Sequence, residues 1–456
     1  MDRPPLTTLL IWAAVGTYLL VALGATAAAD AGSAVVAVHH VSAVAVGVLL
    51  VATALLAHRT GASRGVRAGT IAVLIAYAAQ AGVGLAGRTD ALPFDDGLHL
   101  LGGIAVFAAL LATLVVRAEA TGDVPADDGA PSGSDDRVAP TADLPAESDG
   151  PPASERGSLR FRDRVRAYLE LTKPRLLWLL CLLALAGMGL AAATGAELDG
   201  VTVVATLGGG ALATGASGAF NHVYERDRDR KMRRTADRPI ATDRVGVRRA
   251  TAFAVALVVA SMAVLLAFVN ALAAALTAAA VVYYAYVYTV LLKPTTRWNT
   301  VIGGGSGALP ALIGYAAVTG TVGLPAVLLA VVVCCWTPAH FYNLAIAHRD
   351  DYARADYPML PVVAGVGTAR RRILAWLGVT LIAAVLLGSV TDLGVLYAVT
   401  TTALGAVFVR SVVRQYDADG REDEDGRAAA AYRSFHASNA YLGAVLAAIL
   451  VETLAM

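Results

Sequence analysis

Along most of this chain, runs of about twenty apolar residues alternate with short polar breaks. A membrane-spanning helix needs roughly 20 mostly apolar residues. Four such runs fall before residue 118, at about 7–28, 36–57, 68–87 and 98–117. Nine more follow residue 170, at about 174–194, 201–220, 250–268, 271–290, 299–318, 324–346, 372–389, 393–412 and 435–455. The pattern predicts an all-α polytopic membrane protein with thirteen spans. The first run is long for the apolar core of a cleavable signal and more spans follow it, so it is read as a span in its own right.

One stretch breaks the rhythm. EATGDVPADDGAPSGSDDRVAPTADLPAESDGPPASERGS is rich in Pro, Gly, Ser and Asp and has hardly an aliphatic residue. It cannot bury a core and predicts a disordered acidic tether. The expected organisation is a four-span bundle over 1–117, a linker over 118–160 and a nine-span domain over 161–456.

Composition agrees with the pattern: 57% of residues are hydrophobic, 16% are charged and the mean hydropathy is +0.62. Soluble domains carry roughly 25% charged residues. The net charge of +1 gives no footprint for nucleic acid, and no nucleic-acid partner is expected. Charge is instead sorted by loop. HRTGASRGVR, the 221–250 loop, KPTTR, the 348–373 loop and the 410–434 loop carry arginines, while DAGS, TGAELDG, TGTVG and TDLG carry almost none. With the N-terminus in the cytoplasm every basic loop falls on that side of the cell membrane. The acidity of the tether fits a prokaryote from a salty environment. Cys181, Cys334 and Cys335 lie inside apolar runs without metal-ligand spacing. Lysine occurs only at Lys173, Lys231 and Lys293, each at an end of an apolar run.

The chemistry concentrates at NHVYERDRDRKMRRTADRP, residues 221–239. Asn221, Glu225 and Asp229 are spaced four apart, so on a continuous helix they form one stripe of oxygen-bearing side chains. Such a stripe suits Mg²⁺, which takes one or two carboxylates together with substrate phosphates. Arg226, Arg230, Lys231, Arg234 and Arg238 stand beside it to take up phosphate charge. A second cluster, His340, Asn343, His348, Arg349, Asp350 and Asp351, ends a later span on the same side. Two acid-bearing helix ends facing each other over a lipid-open cavity suit a substrate with a charged head and a greasy tail.

These motifs resemble those of the UbiA intramembrane prenyltransferase superfamily, and in detail its protoheme IX farnesyltransferase (haem o synthase) branch. The resemblance runs through TKPR, NHVYERDRDRKMRRT, YTVLLKPTTRWNTVIGGGSGALP, WTPAHFYNLAIAHRDDY, MLPVV and FHASNAYL, and covers the whole second half. It departs from the branch at Glu225, where the middle acid is usually Asp, and at Thr337 and Tyr342. The resemblance implies a nine-helix UbiA-type intramembrane prenyltransferase fold and a transfer of farnesyl from farnesyl diphosphate to the 2-vinyl group of haem b. It implies Asn221, Glu225, Asp229, Asp350 and Asp351 for Mg²⁺ and diphosphate, with His340 beside them as a haem contact. Lys173, Arg175, Arg234, Arg238, Lys293 and Arg349 would bind phosphate oxygens. His222 suits packing or a propionate contact, and GGGSG at 303–307 suits close helix approach.

The first half resembles half of a haem A synthase through its QxxxG…H pattern and its histidines. His39 and His40 open the second span and His99 the fourth, at one depth. The implied axial pair for a haem is His40 and His99, with His39 in reserve; His58 reads as a loop residue. Expected partners are farnesyl diphosphate, haem b and membrane lipid, with haem A synthase or terminal oxidase assembly proteins beside them. Two other readings carry different functions: a quinone or lipid prenyltransferase, and an ion-coupled transporter. The transporter would place acids near the midplane between repeated halves, whereas these acids collect at one face.

Overall fold

The structure, a computed structural model, describes residues 5–28, 33–87, 95–121, 161–418 and 424–455. The helices are α1 (Pro5–Ala28), α2 (Ser33–Arg59), α3 (Arg64–Gly87), α4 (Asp95–Thr121), α5 (Phe161–Leu171), α6 (Leu177–Ala192), α7 (Gly200–Tyr224) and α8 (Arg226–Asp229). They continue with α9 (Val247–Phe268), α10 (Ala271–Val282), α11 (Asn299–Thr319), α12 (Leu324–Ala347), α13 (Arg349–Arg354) and α14 (Leu360–Val363). The last three are α15 (Gly365–Val390), α16 (Val395–Ala418) and α17 (Glu424–Ala455). Among the described residues thirteen helical segments are long and apolar enough to cross a membrane, at the positions the hydrophobic runs predict. Most of the 118–160 stretch lies outside the described residues; α4 itself continues to Thr121.

Helices are the natural solution here, because hydrocarbon offers no partner to an open backbone group. Small residues decide how closely they pack. A side chain at Gly187 or Gly314 would strike the backbone of the facing helix, at Ala311 and Ala184 respectively, so α6 and α11 meet backbone to backbone. Asp199 caps α7 by accepting the N–H groups of Val201 and Thr202, both at 2.9 Å.

Helices α1 to α4 form a closed ring of contacts, with α1 between α2 and α4 and α3 joining those two on the far side. This bundle is not a separate body. Helices α1 and α4 pack on α15 and α16, and one continuous apolar core includes Leu10, Tyr18 and Leu114 as well as Leu381, Phe408 and Val445. Arg371 at the start of α15 pairs with Glu119 near the end of α4 at 3.2 Å.

Candidate active site

The site is assembled where four segments reach one face of the bundle. The first is the turn before α6. Lys173 adopts a left-handed backbone, φ 50°, just ahead of Pro174, a conformation that costs a non-glycine residue and often marks a functional position. Gly218 of α7 makes room for this turn, since a Cβ there would meet the Leu171 carbonyl at 2.7 Å. The turn aims the ammonium inward: Lys173 Nζ donates to Asn221 Oδ1 and to Tyr284 Oη, the latter at 3.4 Å.

The second segment is the end of α7. Its helix stops at Tyr224, and Glu225 (φ −90°, ψ 0°) separates it from the single turn of α8. The continuous stripe expected for Asn221, Glu225 and Asp229 is therefore corrected: a break divides it. The i→i+4 backbone bonds nevertheless persist, Glu225 N–H to Asn221 O at 2.9 Å and Asp229 N–H to Glu225 O at 2.7 Å, so the three side chains still converge. All three are buried, while Asp227 is 87% exposed and turned away toward Arg230.

The third segment follows α10, whose helix widens over Tyr283–Leu292 into a π-helix. Insertions of this kind concentrate at functional sites. The wider turn frees Thr289 to bond inside and across. Its hydroxyl donates to the Tyr284 carbonyl at 2.8 Å and accepts from Asn221 Nδ2 at 3.1 Å. At its end Lys293 forms an ion pair with Glu225 and lies 4.6 Å from the Tyr357 ring centre.

The loop after α8 returns Arg238, whose Nη1 donates to both Asp229 oxygens at 2.9 Å and stands 3.9 Å from Glu225. The fourth segment, α13, holds that loop in place. Asp351 accepts the backbone N–H groups of Arg233 and Arg234 at 3.0 and 3.2 Å and pairs with Arg354, and Lys231 reaches Asp356 at 3.1 Å.

Two carboxylates thus face three basic side chains, Lys173, Lys293 and Arg238. Burial opposes ionisation of Glu225, but Lys293, Lys173 and Arg238 outweigh it and hold that carboxyl down to about 2. At Asp229 burial wins over Arg238, and the carboxyl rises above its ordinary value. Burial and then Arg238 push the Lys173 ammonium down to about 7, against the pull of Glu225.

A profile of the UbiA prenyltransferase family matches residues 180–450. The chain belongs to the UbiA prenyltransferase family. It is 59% identical over 443 residues to protoheme IX farnesyltransferase 2 of Natronomonas pharaonis, covering 96% of this chain and 97% of that one. It is 46% identical over 470 residues to a protoheme IX farnesyltransferase of Halobacterium salinarum, covering 97% and 96%. Among solved structures, a digeranylgeranylglyceryl phosphate synthase matches with a TM-score of 0.51 at 15% identity, covering 64% of this chain and 99% of its own; that likeness is one of fold. This UbiA-family chain is a multi-pass membrane enzyme of prenyl transfer.

The remaining expected residues of this UbiA-family site are distributed as follows. Arg175 and Arg349 are exposed and make no contact with the carboxylates. Arg234 contributes its backbone N–H to Asp351 while its side chain is exposed. Asp350 is exposed, and Asp351 accepts the Arg233 and Arg234 backbone N–H groups and so clamps the first motif's loop. His340 lies on the α12–α17 seam, stacked between Trp336 and Phe435 at 4.2 and 4.3 Å, with Nδ1 2.6 Å from Ser438 Oγ. His222 is buried with neither ring nitrogen hydrogen-bonded.

Sequence reasoning missed Tyr284, Tyr288, Thr289 and Tyr357. For Tyr284, Tyr288 and Thr289 the density of hydroxyls in YYAYVYT was the available signal, although its last two residues open a motif that carries the resemblance; Tyr357 had none. In the first bundle the structure brings His39, the reserve candidate, closer to His99 than the exposed His40. His39, half-buried and packed against Gly24, sits 6.2 Å from the His99 ring centre, while His40 is exposed. Gln80 Nε2 lies 3.2 Å from the His99 ring nitrogens.

Proposed function

We propose that this enzyme transfers the farnesyl group of farnesyl diphosphate to the 2-vinyl group of haem b, with water added, as a haem o synthase. The observation that carries this reading is the 59% identity to protoheme IX farnesyltransferase 2 along almost the full length of both chains. The site geometry supports it. Lys173, Lys293 and Arg238 converge at one membrane face, where a diphosphate head would meet them while its tail follows the lipid. In the reaction the C1–oxygen bond of the donor breaks and diphosphate leaves. The freed carbon bonds the terminal vinyl carbon, water adds its oxygen to the inner vinyl carbon, and one proton is released.

Among the described residues no three His, Cys, Asp or Glu side chains gather on one point. Two buried carboxylates and a carboxamide do gather, the donor set that suits Mg²⁺ when substrate phosphates complete the shell. Asn221, Glu225 and Asp229 would hold that ion, with Asp351 supporting the loop that carries Arg238. When bound, Mg²⁺ supplies stabilisation of charge on the departing diphosphate. On arrival of the diphosphate, Lys293 and Arg238 shift their charge from Glu225 and Asp229 to phosphate oxygens. Tyr284 orients Lys173 and Thr289 orients Asn221.

The site is read as cytoplasmic, on the side of the arginine-rich loops. The first four helices are read as a bundle that binds haem between His39 of α2 and His99 of α4, two imidazoles whose ring centres lie 6.2 Å apart across the ring of helices. The test is incubation of purified protein with farnesyl diphosphate and Mg²⁺, with haem b or an aromatic quinone precursor as acceptor. Farnesylation of haem b alone is expected. Farnesylation of the aromatic acceptor alone would replace this reading with the quinone one.

A further inference from the structure

Helix α5, FRDRVRAYLEL, has two apolar faces and only one of them is covered by protein. On the covered face Ala167 and Leu171 are buried with Ala219 of α7 and Ala250 and Ala254 of α9, and the Tyr168 ring meets Phe253 edge-on at 4.9 Å. On the other face Phe161, Val165 and Leu169 recur every fourth residue and so line one side of the helix. They are 80%, 42% and 57% exposed. A third sector holds Arg162, Asp163, Arg166 and Glu170, with Arg166 and Glu170 paired at 3.2 Å, while Arg164 stands exposed beside the covered face.

The depth of α5 is fixed by its contacts. Ala219 lies near the end of the span Gly200–Tyr224, and Ala250 and Ala254 near the start of the span Val247–Phe268. Only Thr172 and Lys173 separate α5 from Pro174, where the next span begins. Exposed Leu176, Trp178 and Tyr224 mark the same level, where aromatic residues commonly meet the headgroups.

We infer that α5 lies in the membrane interface on the face that carries the carboxylate site. Its Phe161–Val165–Leu169 stripe sinks into the boundary between acyl chains and headgroups, and Arg162 and Arg166 meet lipid phosphates. Lipid is the occupant for two reasons on the molecule itself. The stripe continues the lipid-facing surface of the adjoining spans, and the sector beside it carries arginines at headgroup level, the usual constitution of a helix lying in an interface. The consequence reaches the site, because α5 runs straight into the turn that delivers Lys173. The inference rests on the membrane placement and is independent of which acceptor is prenylated.

The test uses the full chain with Cys181, Cys334 and Cys335 replaced by alanine. Single cysteines are introduced as Phe161→Cys, Asp163→Cys, Val165→Cys, Arg166→Cys and Leu169→Cys, spin-labelled and reconstituted in vesicles of phosphatidylglycerol and phosphatidylcholine. Collision with oxygen relative to a water-soluble nickel chelate should be severalfold higher at 161, 165 and 169 than at 163 and 166. Equal chelate access at all five positions would overturn the inference in favour of a solvated helix. Exclusion of both reagents from the stripe would overturn it in favour of a protein partner. With the five native tryptophans replaced by phenylalanine, Val165→Trp provides an independent reading: brominated lipid should quench its fluorescence, and an unquenched signal contradicts the placement.

Discussion

At the scale of single residues, each charge at the site is defined by its neighbours. Glu225 and Asp229 are 5% and 4% exposed, yet their carboxyls move in opposite directions: burial is outweighed at Glu225 by Lys293, Lys173 and Arg238, and at Asp229 burial and the neighbouring Glu225 outweigh Arg238 and Lys293. Buried charges of this kind are costly to hold and are retained where function uses them. The histidines of the first bundle give a sharper case. Position 39 turns inward to Gly24 and His99, and position 40 turns out. In the full chain purified with haem, His39→Ala or His99→Ala should abolish a low-spin bis-histidine absorption spectrum, and His40→Ala should leave it intact. A spectrum lost with His40→Ala and kept with His39→Ala would reverse the assignment.

At the scale of elements, the decisive piece is the clamp between α13 and the loop after α8. Asp351 satisfies two backbone N–H groups and Arg354, although burial works against its charge, and these partners keep its carboxyl below the ordinary value. Charge-assisted bonds of this sort are each worth about 1.5–3 kcal/mol. Asp351→Ala, which removes all three, should therefore lower stability by at least about 1.5–3 kcal/mol and reduce prenyl transfer by loosening Arg238, whereas exposed Asp350→Ala should leave both nearly unchanged. Equal effects of the two variants, read by melting temperature and product yield, would refute the clamp. The same region shows what the sequence discloses. The convergence of Asn221, Glu225 and Asp229 was legible in their spacing because four-residue recurrence is a local property. The partners of Glu225, Thr289 and Asp351 come from segments 68 to 118 residues away, and no local pattern encodes them.

At the scale of the whole molecule, thirteen spans were readable because each must satisfy its own backbone within lipid. The way the first four helices attach was not. That seam runs through Tyr18, Phe107, Leu381 and Val409 and ends in the Glu119–Arg371 pair, and apolar residues facing protein look the same in sequence as those facing lipid. Lipid can replace such contacts at little cost. A chain of residues 161–456 should accordingly fold in membranes and keep prenyl transfer, and complete loss of both would show that the nine-span part depends on the bundle.

The central claim is that the Asn221–Glu225–Asp229 site farnesylates haem b. Its most direct test is mass spectrometry of haem extracted from a host that makes only haem b, expressing either the full chain or its Asp229→Ala variant. The account predicts haem o from the unaltered chain. It predicts a fall of about 100- to 1,000-fold with Asp229→Ala, the scale expected when a group stabilising developing charge is removed, while the variant remains folded in the membrane. Haem b alone from the well-folded unaltered chain, or undiminished haem o from Asp229→Ala, would contradict it.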